Sequence, residues 1–241
     1  MKKLACILLT MMLMLGCAGA MAATYGDFEY SVTDGKVTIT AYNGSAAEVT
    51  IPATIDGKPV TSIGSLAFYR CMSLTSVTIQ YGVTSIGGSA FHTCKNLTSV
   101  TIPGSVTSIG ASAFYRCTSL ESVTIPDSVT SIGNYAFRSC TSLEHVEFAS
   151  NKPEQITLGE NTFKECPSDL QILVPVGTKE AYVKEFAEQR EDETYWKALI
   201  VEKSALITVN LPRTGDASML GAWILLLGAS AAGMRLRRKN G

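Results

Sequence analysis

Apolar residues recur along this chain at a fixed step. Val60, Val83, Val106 and Val129 are 23 residues apart, as are Ile63, Ile86, Ile109 and Ile132. Phe68, Phe91, Phe114 and Phe137 keep the same step, each preceded by Ala, and so do Cys71, Cys94, Cys117 and Cys140 and then Leu74, Leu97, Leu120 and Leu143. A period in the twenties is how a solenoid is written: one unit has an apolar side it cannot bury alone, and stacked units share a continuous core.

Within one period the pattern changes character. Ser122–Pro126 alternates, with Val123 and Ile125 on one side and Ser122 and Thr124 on the other. That is the period of a half-buried strand, and the Pro removes a donor and stops it. In "SVTSIG" two apolar residues three apart face inward and the Gly allows a turn. In "SAFYRC", Ala113, Phe114 and Cys117 stand at helical spacing behind Ser112 as a cap, which predicts one to two helical turns. The expected fold is an α/β solenoid of 23-residue coils, each made of a strand, a second extended segment and a short helix.

Both ends decay, as terminal repeats do. Strand phrases at Val49–Pro52, Val77–Gln80, Val100–Pro103, Val123–Pro126, Val146–Ala149 and Ile172–Pro175 imply about six coils. Beyond the last full period, Cys166, Ile172, Val174 and Pro175 return shifted by three residues, with Asp169 where Leu belongs. Upstream, a hairpin is predicted around Asp34-Gly35. Downstream, Thr178–Glu191 is predicted as an amphipathic helix with Ala181, Tyr182 and Phe186 on its apolar side. The expected organisation is a hairpin cap and partial coil over 23–59, the solenoid over 60–175, a helical cap over 176–202 and a linker over 203–210.

The phrases "IPATIDGKPVTSIGSLAF" and "CTSLESVTIPDSVTSIGNYAF" resemble the BspA-type bacterial leucine-rich repeats, over about Phe28 to Glu202. The resemblance implies a leucine-rich-repeat solenoid and a surface-exposed binding protein, adhesive toward host components or other microbes.

The termini read as addresses. Lys2 and Lys3 precede an apolar run from Leu4 to Leu15, and Ala20-Met21-Ala22 before Ala23 fits small-x-small cleavage. Residues 1–22 are thus expected to be a secretory signal peptide. Lipid attachment at Cys17 is the alternative, with Leu15 standing where such signals carry a small residue. Residues 211–241 hold Leu211, Pro212, Arg213, Thr214 and Gly215, then an apolar run from Met219 to Met234, then Arg235, Arg237, Arg238 and Lys239. This order resembles the LPxTG cell-wall sorting signal of Gram-positive bacteria. The run of 16 residues makes about 24 Å of helix, enough to hold the chain transiently in a membrane while the basic tail stays cytoplasmic. Pro212 gives an extended backbone that a helix does not present. The resemblance implies sortase as processing partner, cleavage between Thr214 and Gly215, and covalent attachment of Thr214 to peptidoglycan. A permanent C-terminal membrane anchor is the competing reading.

Processing changes the charge. It removes six of the 20 Lys and Arg but only one of the 21 Asp and Glu, leaving a net charge of −6. That argues against a nucleic-acid partner. Of seven cysteines, five survive, all at one repeat position, Cys71, Cys94, Cys117, Cys140 and Cys166. Coil stacking lines them up, whereas a metal needs ligands converging on a point, and five thiols leave one unpaired. Buried free thiols are expected, with a disulfide ladder as the alternative, and no metal or cofactor. His92 and His145 lie two coils apart, both expected on the open strand face, with His145 beside Glu147 the only suggestive pair. With no phosphate loop or triad order, an enzyme is not expected.

Repeat proteins carry variation on a constant frame. The two residues after each repeat Phe differ between coils: Tyr69-Arg70, His92-Thr93, Tyr115-Arg116 and Arg138-Ser139. Stacking predicts them in a line about 4.8 Å apart on one exposed edge. Tyr and Arg there suit an interface with an unknown protein or glycan. The Ser- and Thr-rich outer strand face is a second candidate for glycans, or simple β-propensity. The expected function is a surface binding or adhesion module. A passive wall spacer and a secreted enzyme inhibitor are the alternatives.

Overall fold

In the computed structural model, residues 23–190 and 193–203 are described. The signal peptide and the sorting signal expected at residues 211–241 lie outside them.

The chain forms a β-solenoid with two parallel ladders. In the first, Lys58–Ile63, Ser85–Ile86, Ser108–Ile109, Ser131–Ile132 and Thr157–Leu158 pair coil to coil, setting Ile63, Ile86, Ile109, Ile132 and Leu158 in one inward row. The second uses the alternating phrases. Glu48–Ile51, Ser76–Ile79 and Ser99–Thr101 form one sheet; Ser122–Ile125, His145–Phe148, Gln171–Val174 and Ile200–Glu202 form the next. Inward Val123 and Ile125 are buried and outward Ser122 and Thr124 exposed, as the alternation predicts. The final strand, Ile200–Glu202, is an addition within the stretch 176–202 expected as a helical cap.

At the N-terminal end Phe28–Thr33 and Lys36–Tyr42 pair antiparallel, and the latter runs parallel to Lys58–Ile63. Asp34 and Gly35 have φ of 51° and 72°, the left-handed pair that a two-residue hairpin turn requires. At the other end α1 (Lys179–Arg190) and α2 (Glu193–Leu199) pack on the last coil. Tyr182 and Phe186 lie 5.6 Å from Phe148, and Phe186 lies 5.2 Å from Trp196. Val183 is buried where Ala181 was expected. The three-residue shift arises between Phe148 and Leu158, where a 3₁₀ turn at Pro153–Gln155 is inserted. Leu170, not Asp169, fills the Leu slot.

The short helix predicted in each coil does not form. Leu66, Phe68 and Arg70 donate their N–H to the carbonyls of Gly88, Ala90 and His92 in the next coil, at 3.1, 2.7 and 3.0 Å. The alternate residues Ala67, Tyr69 and Cys71 donate back three positions, to Gly64, Leu66 and Phe68. An α-helix sends every N–H four residues back and keeps φ negative. Here Leu66 and Arg70 have φ of 63° and 58°, and the pair recurs at Ser89 and Thr93, Ser112 and Arg116, Tyr135 and Ser139, and Asn161 and Glu165. Left-handed backbone costs roughly 1–2 kcal/mol per residue, offset from Leu66 through Ser139 by a hydrogen bond from each such residue to the next coil. A string of turns thereby buries Ala, Phe and Cys with helix-like spacing.

Two columns hold the coils together. Phe68, Phe91, Phe114, Phe137 and Phe163 stack with centroids 4.8–5.7 Å apart. The Gly of each "SIG" opens the string of turns, its carbonyl accepting the N–H of the Ala three residues on, and it meets a second need. A Cβ on Gly110 would lie 2.5 Å from the Gly88 nitrogen, and one on Gly133 2.4 Å from that of Ala111. These glycines let successive coils approach at the backbone.

Candidate functional site: a stacked polar edge

The structure brings the variable residues into one row. The Tyr69 and His92 rings are 5.3 Å apart and the His92 and Tyr115 rings 4.8 Å apart. The Arg138 guanidinium continues the row, 6.0 Å from the Tyr115 ring and 5.5 Å from that of Tyr135. Arg116 lies 5.2 Å over Tyr115. Each stands immediately after, or two residues after, a buried Phe, so the Phe column sets their pitch. Tyr69, Arg70 and Arg116 are exposed; His92, Tyr115 and Arg138 are half-buried. His92 belongs to this row of turns and not to the open strand face where it was expected.

Local contacts fix the row. His92 Nδ1 is 2.7 Å from the Thr93 hydroxyl. Partial burial, with Arg116 nearby, pushes its pKa below the ordinary value, favouring the neutral ring. Arg138 Nη2 donates to Glu165 at 2.5 Å, and the Ser139 hydroxyl donates to the same carboxylate at 2.7 Å. Both bonds hold the Glu165 carboxyl below its ordinary pKa, and the carboxylate raises that of Arg138. Sequence reasoning missed Glu165 because the insertion displaces it by three residues. Counted at a step of 26, it falls in line with Ser139, Arg116, Thr93 and Arg70.

The remaining candidates separate. His145 is exposed, and Glu147 pairs with Lys203 of the C-terminal segment, not with His145. The outer strand face exists as a Ser and Thr surface, but neighbouring coils already engage part of it. Ser99 donates to Ser76 at 3.1 Å on that face, and Ser85 donates to Ser62 at 2.9 Å on the other ladder. On the first ladder the Thr84 and Thr107 hydroxyls each donate to a carbonyl one coil back, at 3.1 Å. Cys94, Cys117 and Cys140 are buried, while Cys71 and Cys166 are half-buried; all five thiols are free. Among the described residues no three His, Cys, Asp or Glu side chains gather as a metal would need. No described helix is long and apolar enough to cross a membrane; the run Met219–Met234 lies outside the described residues.

A parallel solenoid of about six coils with this repeat defines a leucine-rich-repeat protein. The BspA type leucine rich repeat region matches residues 61–190 in six copies, and the chain belongs to that family. Among solved structures it is similar to a leucine-rich-repeat protein of T. pallidum, at 33% identity over 65% of this chain and 73% of that one, with a TM-score of 0.58. A leucine-rich cell surface protein of Faecalibacterium prausnitzii is 30% identical over 64% of this chain and 51% of that one, with a TM-score of 0.49. The pneumococcal vaccine antigen PcpA shares the fold at 21% identity and a TM-score of 0.50, over 66% of this chain and 51% of that one. No curated protein matches the chain.

Proposed function

We propose that the chain is a wall-anchored surface binding module. Residues 1–22 export it, sortase joins Thr214 of Leu211–Gly215 to peptidoglycan, and the solenoid is displayed outside a Gram-positive cell to hold a host or microbial ligand. Family membership supports the surface reading, and the order of motif, apolar run and basic tail supports the anchor. The observation that carries the binding reading is the row Tyr69, His92, Tyr115, Arg138. At the two positions after each repeat Phe the coils differ, and the side chains there are stacked into a single line. A passive spacer has no use for such a line. The test is a screen of the purified full-length chain against matrix proteins and glycans, repeated with Tyr69→Ala/Tyr115→Ala and with Thr124→Ala on the strand face. Loss of capture in the first variant alone is expected. Capture unchanged in both favours the spacer or places the ligand elsewhere.

A further inference from the structure

Charge is distributed unevenly along the solenoid. Residues 57–120 contain no Asp or Glu, yet include Lys58, Arg70, Lys95 and Arg116, in a chain whose acidic residues outnumber its basic ones. The edge runs through this acid-free stretch. Arg70 and Arg116 form no ion pair with a described residue, and the carboxylate on the row, Glu165, sits at its far end on Arg138.

The row offers donors. Tyr69 is 47% exposed, and neither its hydroxyl nor that of Tyr115 is engaged by a described residue. The His92 Nδ1 is paired with the Thr93 hydroxyl at 2.7 Å, so Nε2 is the ring's other polar atom. The rings of Tyr69, His92 and Tyr115 follow one another at 4.8–5.3 Å, tilted by 35–44°, so their edges and hydroxyls line the row. The turn N–H groups of Leu66, Phe68 and Arg70 are already spent on the next coil, so no strand can be added here. The Phe and Ala beneath Tyr69, His92 and Tyr115 are sealed from solvent, so they offer no apolar surface to a ligand there. A line of donors and cations along the solenoid axis is matched by a polymer whose anionic groups recur along a straight chain.

Resting on the reading of this edge as a binding surface, we propose that it holds an extended acidic glycan, a polysaccharide bearing carboxylate or sulfate groups. The full-length chain, purified in mild detergent, is passed over immobilised heparin, hyaluronan, neutral dextran and poly-glutamate. Capture by heparin or hyaluronan is expected, falling with added salt as screening requires. Arg70→Ala/Arg116→Ala, with an unchanged circular-dichroism melt, should weaken it about tenfold or more, two charge-assisted contacts being lost. Glu165→Gln should strengthen it by freeing Arg138. Equal capture by dextran, preference for poly-glutamate, or indifference to the Arg variant overturns the acidic-glycan proposal. If the acidic glycans fail but Tyr69→Ala/Tyr115→Ala still abolishes capture of a matrix protein, the proposal falls and the binding edge stands. If Tyr69→Ala/Tyr115→Ala changes no capture, the edge itself is refuted, and the proposal with it.

Discussion

The thiol of Cys117 donates to the carbonyl oxygen of Phe91 in the preceding coil, 3.1 Å away. Cys94, Cys140 and Cys166 repeat the contact with Phe68, Phe114 and Phe137 at 3.0–3.2 Å. The repeat position therefore needs a small group that carries a weak donor. Phe91 O also accepts the Cys94 N–H at 3.2 Å, so it keeps a partner if the thiol is lost. Cys117→Leu should overpack the coil and cost about 1–3 kcal/mol. Cys117→Ala should cost less, and Cys117→Ser, which keeps a donor, should stay close to Ala. Urea unfolding midpoints check the order.

Reactivity should follow burial. Cys71, half-buried at the end of the column, has its pKa lowered by the neighbouring Cys94 thiol and should label first with a thiol reagent at neutral pH. Cys94, Cys117 and Cys140 should wait for unfolding. Prompt native labelling of Cys117 would contradict the column.

The same burial makes stability fall in alkali. An unfolded thiol ionises near 9.0, whereas burial pushes Cys117 up to about 12. Below pH 9 both states keep the proton and the full contribution of Cys117 is present. Between these values the unfolded state alone releases it, so stability drops by about 1.4 kcal/mol per pH unit for that thiol. Cys117→Ala should give a shallower decline from pH 9 to 12, read from unfolding midpoints.

Gly110→Ala should be severe, because its Cβ would fall 2.5 Å from the Gly88 nitrogen, and backbone cannot step aside cheaply. A cost of about 3 kcal/mol is expected, above the usual range for surface changes. Gly104→Ala, with nothing within 4 Å of the new Cβ, is the control and should change little. Thermal melts of the two variants separate close coil approach from a general effect of losing glycine.

Much of this was legible from residues alone. The 23-residue step places Val60, Ile63, Phe68 and Leu74 in one core, and all are buried. The same step brings Tyr69, His92 and Tyr115 together. What misled was local. Ala113, Phe114 and Cys117 have helical spacing, but that spacing records which side chains face inward, not where the N–H groups point. The turns at Ser112 and Arg116, with φ of 56° and 58°, are stabilised by bonds to another coil, and such bonds leave no mark within one repeat. Glu165 and the strand Ile200–Glu202 were hidden by insertions that break the step.

The most direct test of a wall-anchored module lies at Thr214. In a Gram-positive cell that carries sortase, the wild-type chain should remain with purified peptidoglycan after boiling in detergent and be released by a wall hydrolase. Thr214→Ala should move it to the membrane and medium fractions, with its solenoid still folded. A Thr214→Ala chain still covalently bound to peptidoglycan would contradict the anchoring.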